Sequence, residues 1–457
     1  MIATIQDIIQ LTKDLQADFA EVRLGSYQTT EFTLQERTKK WIHTEQRIET
    51  SLSIWQGGIL GQSYVTDITE ASITSLVVNA AESTGVMKNL SGTSPDRVKH
   101  EKFLEKGDLK PDESKILVRD KLEFARVLRR AVKRESPEID VSIHYMDREG
   151  EWFFANSDGY QVKTPVSEFS LEISAKVTYA LKTITRMHYH GGRLVKSHLN
   201  PETANRIGKR ISKRLLSARI VTPPPKKRMD IIVDPVLSGM IIHEICHGIE
   251  GDLVMTKNPW KKKLGGKIPT SLLTIYDVPN ARDYIVHYTH DAEGFPAEKT
   301  TIIDEGVIKN FICDSRTGKA LKCATSQNAR AVHYDSQHFP VSSNLVVDTG
   351  DVSIEAMIRN TEAGIFCQGY VSVSVNWDEN EMTIVPEQAL LVSNGDIRHE
   401  HNLAVKIKEN VDDLLRKLDQ VGNRRGLSAI MCQKGGGLLS GSVCPAMLFK
   451  RVKVLEN

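Results

Sequence analysis

Two histidines lie four residues apart in the stretch IIHEICHGIEGD, and a glutamate directly follows the first of them. On an α-helix each residue advances about 100°, so the side chains of His243 and His247 differ by about 40° and can hold one ion from a single face. Glu244 points about 100° away from His243, where it can reach a water on that ion. This is the HExxH pattern, in which two imidazoles bind Zn²⁺ and the carboxylate accepts a proton from the water.

An ordinary buried helix that happens to contain histidine is the competing interpretation. The apolar residues of this stretch are sufficient to bury it on their own: Ile241, Ile242, Ile245 and Ile249. Buried ionisable side chains in a row need a partner, however, and a bound metal ion supplies one. We therefore favour a zinc-binding helix over a purely structural one.

A catalytic zinc site needs a third protein ligand besides the two histidines. Cys432 precedes a glycine-rich turn that could direct its thiolate towards a distant helix, and Cys444 and Cys246 are the competing candidates. Each cysteine is, from the residues alone, also typical of a small core hydrophobe. Glu250 lies on the same helix face as His243, two turns along, and is a candidate for orienting a ligand or for an ordinary salt bridge.

Three polar aromatic residues are candidates for stabilising a developing oxyanion. His287, Tyr288 and His290 lie in the stretch IVHYTHDAEG, which alternates as a β-strand does. Half-exposed packing on a strand is the competing explanation for all three residues.

Composition and charge limit the setting of this site. The chain has 457 residues, of which 40% are hydrophobic and 26% charged, as in ordinary globular proteins of two or three domains. A net charge of +2 excludes the strongly basic character of a nucleic-acid binder, and no run approaches the roughly 20 apolar residues of a membrane span. The N-terminal stretch lacks the apolar region of a signal peptide, and the six cysteines are scattered as reduced thiols would be. We expect a cytoplasmic protein that contacts neither membrane nor nucleic acid.

The chain pattern predicts an α+β protein of two domains. Residues 1–222 form an N-terminal α/β domain with an antiparallel sheet, including a hairpin at residues 57–58 and a helix at residues 201–218. The proline-rich and basic segment TPPPKKR is the expected boundary. Residues 226–457 form a mainly β, barrel-like C-terminal domain that carries the HExxH helix and one further helix at residues 410–421.

Longer motifs resemble those of a known family. HEICHGIEGD, DAEGFPAEKTTIIDEGVIKNFICDSRTGKAL, NGDI and MCQKGGGLLSGSVCPAM are similar to the TldD/PmbA family of modulators of DNA gyrase, which are zinc metallopeptidases, and the match is closer to its TldD side. DFAEVRL, QGGILGQSYVTD and NSDGYQV resemble the N-terminal landmarks of that family. The resemblance implies that His243, His247 and Cys432 bind zinc and that Glu244 is catalytic.

The resemblance also implies an activity and an assembly. The expected activity is zinc-dependent hydrolysis of peptide bonds in small or unfolded polypeptides, with Glu244 activating a zinc-bound water. The alternatives are a non-catalytic partner subunit of a peptidase heterodimer and a zinc hydrolase of small amides or esters. The family forms dimers, so we expect a homodimer or a heterodimer with a zinc-less paralogue.

One spacing departs from the family pattern. The usual family motif is HExxxH, whereas only Ile245 and Cys246 separate Glu244 from His247 here. A spacing of five residues rotates the second histidine by about 140° on a regular helix, so the family motif needs a local distortion. A regular helix should suffice in this chain.

Overall fold

A computed structural model describes residues 2–15, 17–35, 41–86, 104–106, 116–179, 182–218, 221–225, 227–256 and 264–457. The helices of these residues are α1 Ile2–Asp14, α2 Glu70–Val86, α3 Val118–Lys133, α4 Pro201–Ser217, α5 Pro235–His247, α6 Gly251–Val254, α7 Ser315–Leu321, α8 Ile354–Arg359 and α9 Val411–Arg416.

The strands of the N-terminal half are β1 Phe19–Leu34, β2 Trp41–Gln56, β3 Ile59–Val65, β4 Leu104–Lys106, β5 Asp140–Asn156, β6 Gln161–Tyr179 and β7 Lys182–Arg193. The strands that follow are β8 Val221–Thr222, β9 Arg228–Val233, β10 Ile275–Asp277, β11 Thr300–Asp304, β12 Val307–Ile308, β13 Ala329–Arg330, β14 Phe339–Pro340, β15 Asn344–Val347, β16 Ala363–Asn376, β17 Glu381–Ser393, β18 Asp396–Leu403, β19 Val405–Asn410, β20 Leu418–Cys432 and β21 Leu438–Glu456.

The N-terminal half is a long, mainly antiparallel sheet in the order β3-β2-β1-β5-β6-β4, with β7 paired to β6. Among the described strands of this sheet, only the short β4 runs parallel to its neighbour. A hairpin joins β2 to β3, and its turn residues Gly57 and Gly58 both have positive φ, which glycine adopts without steric cost. The predicted antiparallel sheet and its hairpin are confirmed.

Strand alternation separates the two faces of this sheet. On β1, the even-numbered residues Ala20, Val22 and Leu24 pack under α1 and α2. Phe32 and Leu34, on the same face, pack under α3 and α4. Because side chains of a strand alternate between faces, the odd-numbered residues of β1 point away from all four helices. That opposite face meets the C-terminal half, as shown by the Arg23 Nη2 donor 2.7 Å from the carbonyl oxygen of Ser336.

The C-terminal half is built on a twelve-stranded sheet in the order β12-β11-β10-β15-β21-β9-β16-β17-β18-β8. Strand β19 pairs with both β17 and β21, so the pairings from β21 through β9, β16, β17 and β19 return to β21. Strand β20 adds to the other side of β21 by antiparallel pairing. The fold is therefore α+β, with an antiparallel N-terminal sheet and a β-rich C-terminal half, as the sequence predicts.

Helix α5 lies against the strands of this second sheet, and almost its whole circumference is buried. Its inward residues include Leu237, Ile241, Ile242 and Ile245, which join one apolar cluster with residues of β9, β16 and β21. Gly239 allows the close approach, because a Cβ there would lie 2.1 Å from Oγ of Ser442. Among the described residues, no helix is both long and apolar enough to cross a membrane.

Candidate metal centre

The start of α5 is fixed by side chains from both halves of the chain. Asp234 caps the helix by accepting a hydrogen bond from the Leu237 backbone N–H at 2.9 Å, and Pro235 occupies the first turn, where its missing N–H costs nothing. Arg214 of α4 donates to Oδ2 of Asp234 at 2.8 Å and to Oε2 of Glu387 at 3.1 Å. These contacts hold the helix that carries both histidines.

His243, His247 and Cys432 come together at the other end of α5. Their potential ligand atoms all lie within 4.8 Å of one another. The two imidazole rings are 4.6 Å apart between centroids, and the sulfur of Cys432 lies 3.6 Å from Nε2 of His247. The helix is regular through both histidines, as expected for the shorter spacing, and Cys432 reaches it from the last residue of β20.

His243 has no hydrogen-bond partner among the described residues, although both ring nitrogens are buried. The residue is 1% exposed, and burial, followed by repulsion from His247, lowers the pKa of its imidazole to about 3. A neutral imidazole is the form that binds a metal ion. A buried ring with two unpaired nitrogens beside a thiol and a second imidazole fits a cation such as Zn²⁺, for which nitrogen and sulfur ligands are typical.

His247 is oriented from its other side by a buried carboxylate. Oε2 of Glu250 lies 2.8 Å from Nδ1 of His247, which leaves Nε2 as the nitrogen that faces Cys432. Burial alone lowers the pKa of His247, but the Glu250 charge and the Cys432 sulfur raise it well above its ordinary value. A carboxylate on the distal nitrogen fixes the ring and increases its basicity towards a metal.

Lys434 completes this arrangement, and sequence reasoning did not single it out. Its Nζ lies 2.8 Å from Oε2 of Glu250, 2.7 Å from Oδ1 of Asp252 and 2.7 Å from the carbonyl oxygen of Pro340. The only available signal was its position two residues after Cys432 in MCQK. The lysine therefore ties the cysteine-bearing turn to the histidine-bearing helix.

Glu244 lies between the histidines in sequence but is less buried than His243. Burial raises the pKa of its carboxyl group, while His247 and a backbone hydrogen bond from Val375 act in the opposite direction. A carboxylate with a raised pKa is a better proton acceptor near neutral pH, which is the property a general base needs.

The competing cysteines lie elsewhere in the core. Cys246 points into the apolar cluster beneath α5, and Cys444 lies on β21 with its sulfur 4.0 Å from the carbonyl oxygen of Leu345. Burial raises the pKa of both thiols, which disfavours the thiolate that binds metal. The structure brings neither into the cluster of His243, His247 and Cys432.

A cavity of about 160 Å³ lies between the two halves and extends to the strands on both sides of the cysteine-bearing turn. Met431 and Leu438 line it, together with the three polar aromatic residues considered as oxyanion stabilisers, His287, Tyr288 and His290. The hydroxyl of Tyr288 already donates to the carbonyl oxygen of Gln327 at 3.1 Å. The prediction of a β-strand here is wrong, because residues 287–289 are irregular and His290 makes only an isolated bridge.

Comparison with known proteins shows to which class of protein this chain is similar. Residues 226–456 match the PmbA/TldA metallopeptidase C-terminal domain, and residues 111–219 match the PmbA/TldA metallopeptidase central domain. A protein of Methanothermobacter thermautotrophicus named metalloprotease is 23% identical over 428 residues, which cover 92% of this chain and 91% of that protein. A zinc metalloprotease TldD homolog of Saccharolobus solfataricus is 23% identical over 255 residues, covering 55% of this chain and 56% of that protein.

The fold is similar to that of a solved family structure. The crystal structure of TldE from Thermococcus kodakarensis superposes with a TM-score of 0.75 at 18% identity and covers 99% of both chains. The two matched domains account for most of the chain. The protein belongs to the TldD/PmbA family, as its sequence motifs indicate.

Proposed function

We propose that this protein is a zinc-dependent peptidase that hydrolyses peptide bonds of small or unfolded polypeptides. The observation that carries the proposal is the buried cluster of His243, His247 and Cys432, in which both nitrogens of His243 lack a protein partner among the described residues. Two imidazoles and one thiolate are a ligand set typical of zinc sites that keep a further position open. Zinc in this site would polarise a carbonyl group and lower the pKa of water.

Glu244 is proposed as the general base. Its carboxylate accepts a proton from the attacking water and transfers it to the amine that leaves, so the same group acts first as base and then as acid. The backbone of Val375 interacts with this carboxylate and lowers its pKa, but by less than burial raises it. Burial raises the pKa of Glu244 and favours proton uptake.

The remaining residues of the site position the ligands. Glu250 accepts from the imidazole of His247 and keeps Nε2 directed at Cys432. Lys434 neutralises Glu250 and restrains the turn after β20. A solved protein of the same fold carries the name TldE, and we propose that this chain is the metal-binding subunit of a dimer, either with itself or with a zinc-less paralogue.

Two rival functions make different predictions. A non-catalytic partner subunit would have no need for the four residues His243, Glu244, His247 and Cys432, all of which are present. A zinc hydrolase of small amides or esters could use the same four residues, so only the substrate distinguishes it. Assays that compare unstructured peptides with small amides and esters separate this rival from a peptidase.

The variant Glu244→Gln tests the proposed mechanism. It should retain zinc and the native fold but lose about 10² to 10⁴ in the rate of peptide hydrolysis, because an amide does not accept the proton of water. Glu202→Gln, an exposed residue in the first turn of α4, is a matched control that should keep full activity. An active wild type together with an equally active Glu244→Gln would show that Glu244 is not the base.

The outcome for an inactive wild type is also informative. A zinc-less paralogue is then added before the two proteins are compared again. Activity that appears only in the mixture and is lost in Glu244→Gln supports an obligate heterodimer. Continued inactivity towards peptides, amides and esters in the mixture favours the non-catalytic rival.

A further inference from the structure

Two cysteines outside the proposed zinc site lie side by side. The sulfur of Cys313 is 3.5 Å from that of Cys323, and both residues are free thiols. Helix α7 lies between them in the chain, so the two sulfurs meet where the two ends of one short helix come together. The mechanism above uses neither thiol.

Backbone hydrogen bonds hold both cysteines in place. The carbonyl oxygen of Cys313 accepts from the Ser326 backbone N–H at 3.1 Å, and the N–H of Cys313 donates to Oγ of Ser326 at 2.7 Å. The N–H of Cys323 donates to the carbonyl oxygen of Gly318 at 2.9 Å. A disulfide bond is about 2.05 Å long, so the sulfurs need to approach by only about 1.5 Å to form one.

The two thiols differ in their access to solvent. Cys313 is 0% exposed, and α6 covers its sulfur so closely that a Cβ added to Gly251 would lie 2.9 Å from it. Cys323 is half-buried, and its neighbours Lys322 and Ala324 are exposed. All six cysteines lie among the described residues, and the other four are buried as Cys313 is. Cys323 is therefore the thiol that a small oxidant reaches first.

The two thiols also differ in acidity. The hydrogen bond from the Cys313 thiol to the Cys323 sulfur holds the pKa of Cys323 below its ordinary value, although burial acts in the opposite direction. The same hydrogen bond, followed by burial, raises the pKa of Cys313. An accessible, acidic thiol beside a second cysteine that can resolve its oxidised form is the arrangement typical of peroxide-sensing cysteines.

We propose that Cys323 and Cys313 form a peroxide-responsive modification site, in which Cys323 is oxidised first and Cys313 then closes a reversible disulfide. The Cys323 thiolate attacks one oxygen of hydrogen peroxide and becomes a sulfenic acid, while the hydroxide that leaves takes up a proton to give water. The Cys313 sulfur then attacks the Cys323 sulfur, and the thiol proton of Cys313 joins the leaving hydroxide as a second water. Peroxide gains the two electrons that the two thiols lose, and an added thiol reverses the bridge by exchange.

The bridge would restrain α7 without using a proposed zinc ligand. The two cysteines lie ten positions apart in the chain, so a disulfide closes a short loop around the helix and limits the freedom of the unfolded segment. We therefore expect oxidation to raise Tm and to leave zinc bound to the histidine site.

Peptide mass spectrometry tests the site. The zinc-loaded full chain is treated with hydrogen peroxide, its remaining thiols are alkylated, and it is digested with trypsin. Residues 310–316 and 323–330 are separate tryptic peptides, which only a disulfide keeps together. We expect this linked pair as the main oxidation product, and dithiothreitol should separate it. Absence of the linked pair, or oxidation of Cys432 before Cys323, overturns the proposal.

The variant Cys313→Ala tests the resolving role of the buried thiol. Peroxide should then stop at the sulfenic acid of Cys323, and dimedone should capture about tenfold more of it than in wild type. Cys367→Ala, which removes another buried thiol, is the matched control and should still form the linked pair. Equal capture at Cys323 in wild type and Cys313→Ala would show that Cys313 does not resolve the oxidised thiol.

A second variant guards against loss of fold in Cys313→Ala, because Cys313 is fully buried. Cys323→Ser replaces a half-buried thiol by a hydroxyl of similar size and should fold normally. The same dose of peroxide should leave Cys313 reduced in this variant and should no longer raise Tm. Oxidation of Cys313 at the wild-type rate, or an unchanged rise in Tm, would contradict the role of Cys323 as the first thiol to react.

Discussion

Oε2 of Glu250 lies 2.8 Å from Nδ1 of His247, and Glu250 is completely buried. Burial raises the pKa of a carboxyl group, but the adjacent His247 and Lys434 outweigh it and hold the pKa of Glu250 at about 2. Glu250 is therefore a charged acceptor at every pH at which the protein would work.

The first prediction concerns this acceptor. Glu250→Gln should weaken zinc affinity about 10- to 100-fold, because the ring of His247 loses the charge that orients it and increases its basicity. Competition with a chromophoric chelator measures the affinity. Asp252→Asn is the matched control, since Asp252 contacts Lys434 but has no bond to His247. Equal zinc affinities of Glu250→Gln and Asp252→Asn would show that Glu250 does not act on zinc through His247.

The second prediction concerns the proposed third ligand. Wild type should carry about one zinc per chain at the histidine site, and Cys432→Ala should lose most of it because only two ligands remain. Cys444→Ala is the control, since that buried thiol lies outside the cluster. Elemental analysis of each purified variant measures the zinc content. Full zinc in Cys432→Ala would remove Cys432 from the ligand set.

The third prediction concerns acid stability. His190 on β7 packs against Phe169 with ring centroids 5.6 Å apart, and burial, followed by repulsion from His198, lowers its pKa to about 3. The unfolded chain therefore takes up a proton on this residue below about pH 6.5, while the folded chain does not. This residue therefore leaves the free energy of unfolding unchanged above about pH 6.5. Below that pH it lowers the free energy of unfolding, by about 2 kcal/mol at pH 5.

Replacement of this imidazole should reduce the pH dependence of the stability. Urea midpoints of His190→Phe should fall less between pH 7.5 and pH 5 than those of wild type, and His43→Phe on β2 is the control because its side chain is 39% exposed. The same decline in all three proteins would show that His190 is not a source of acid sensitivity.

The fourth prediction concerns the division into residues 1–222 and 226–457. Lys227 and Arg228 are exposed, and Lys226 lies outside the described residues. Mild trypsin should cleave first at this connector, and mass spectrometry of the fragments identifies the bond. Early cleavage elsewhere with this bond intact would mean that a partner or the fold protects the connector.

Residue spacing along the chain was enough to predict the elements that are determined by residues close together in the sequence. The i, i+4 histidines and the capping residues Asp234 and Pro235 specify α5, and the glycines at residues 57–58 specify a hairpin. These signals lie within a few residues of the structure that they determine, so tertiary contacts do not need to override them.

Other features depend on partners that are distant in sequence. The helix predicted for residues 410–421 ends at Arg416, because Leu418 already pairs with Phe449 across the antiparallel ladder of β20 and β21. The contact of Lys434 with Glu250 spans 184 residues, and that of Arg23 with the carbonyl oxygen of Ser336 spans 313 residues. No periodicity in the chain encodes such juxtapositions, since they depend on the tertiary packing of segments that are distant in sequence.

Arg214 reaches from the N-terminal half to Asp234, the residue that starts the histidine-bearing helix, and to Glu387 beside it. Removing one member of a buried ion pair costs about 3–5 kcal/mol, because the charge left behind has no water to replace its partner. A C-terminal fragment expressed alone would keep the capping hydrogen bond from Leu237 to Asp234 but lose the arginine that pairs with its charge. The first half therefore supplies the counter-charge at the start of the helix that bears both histidines.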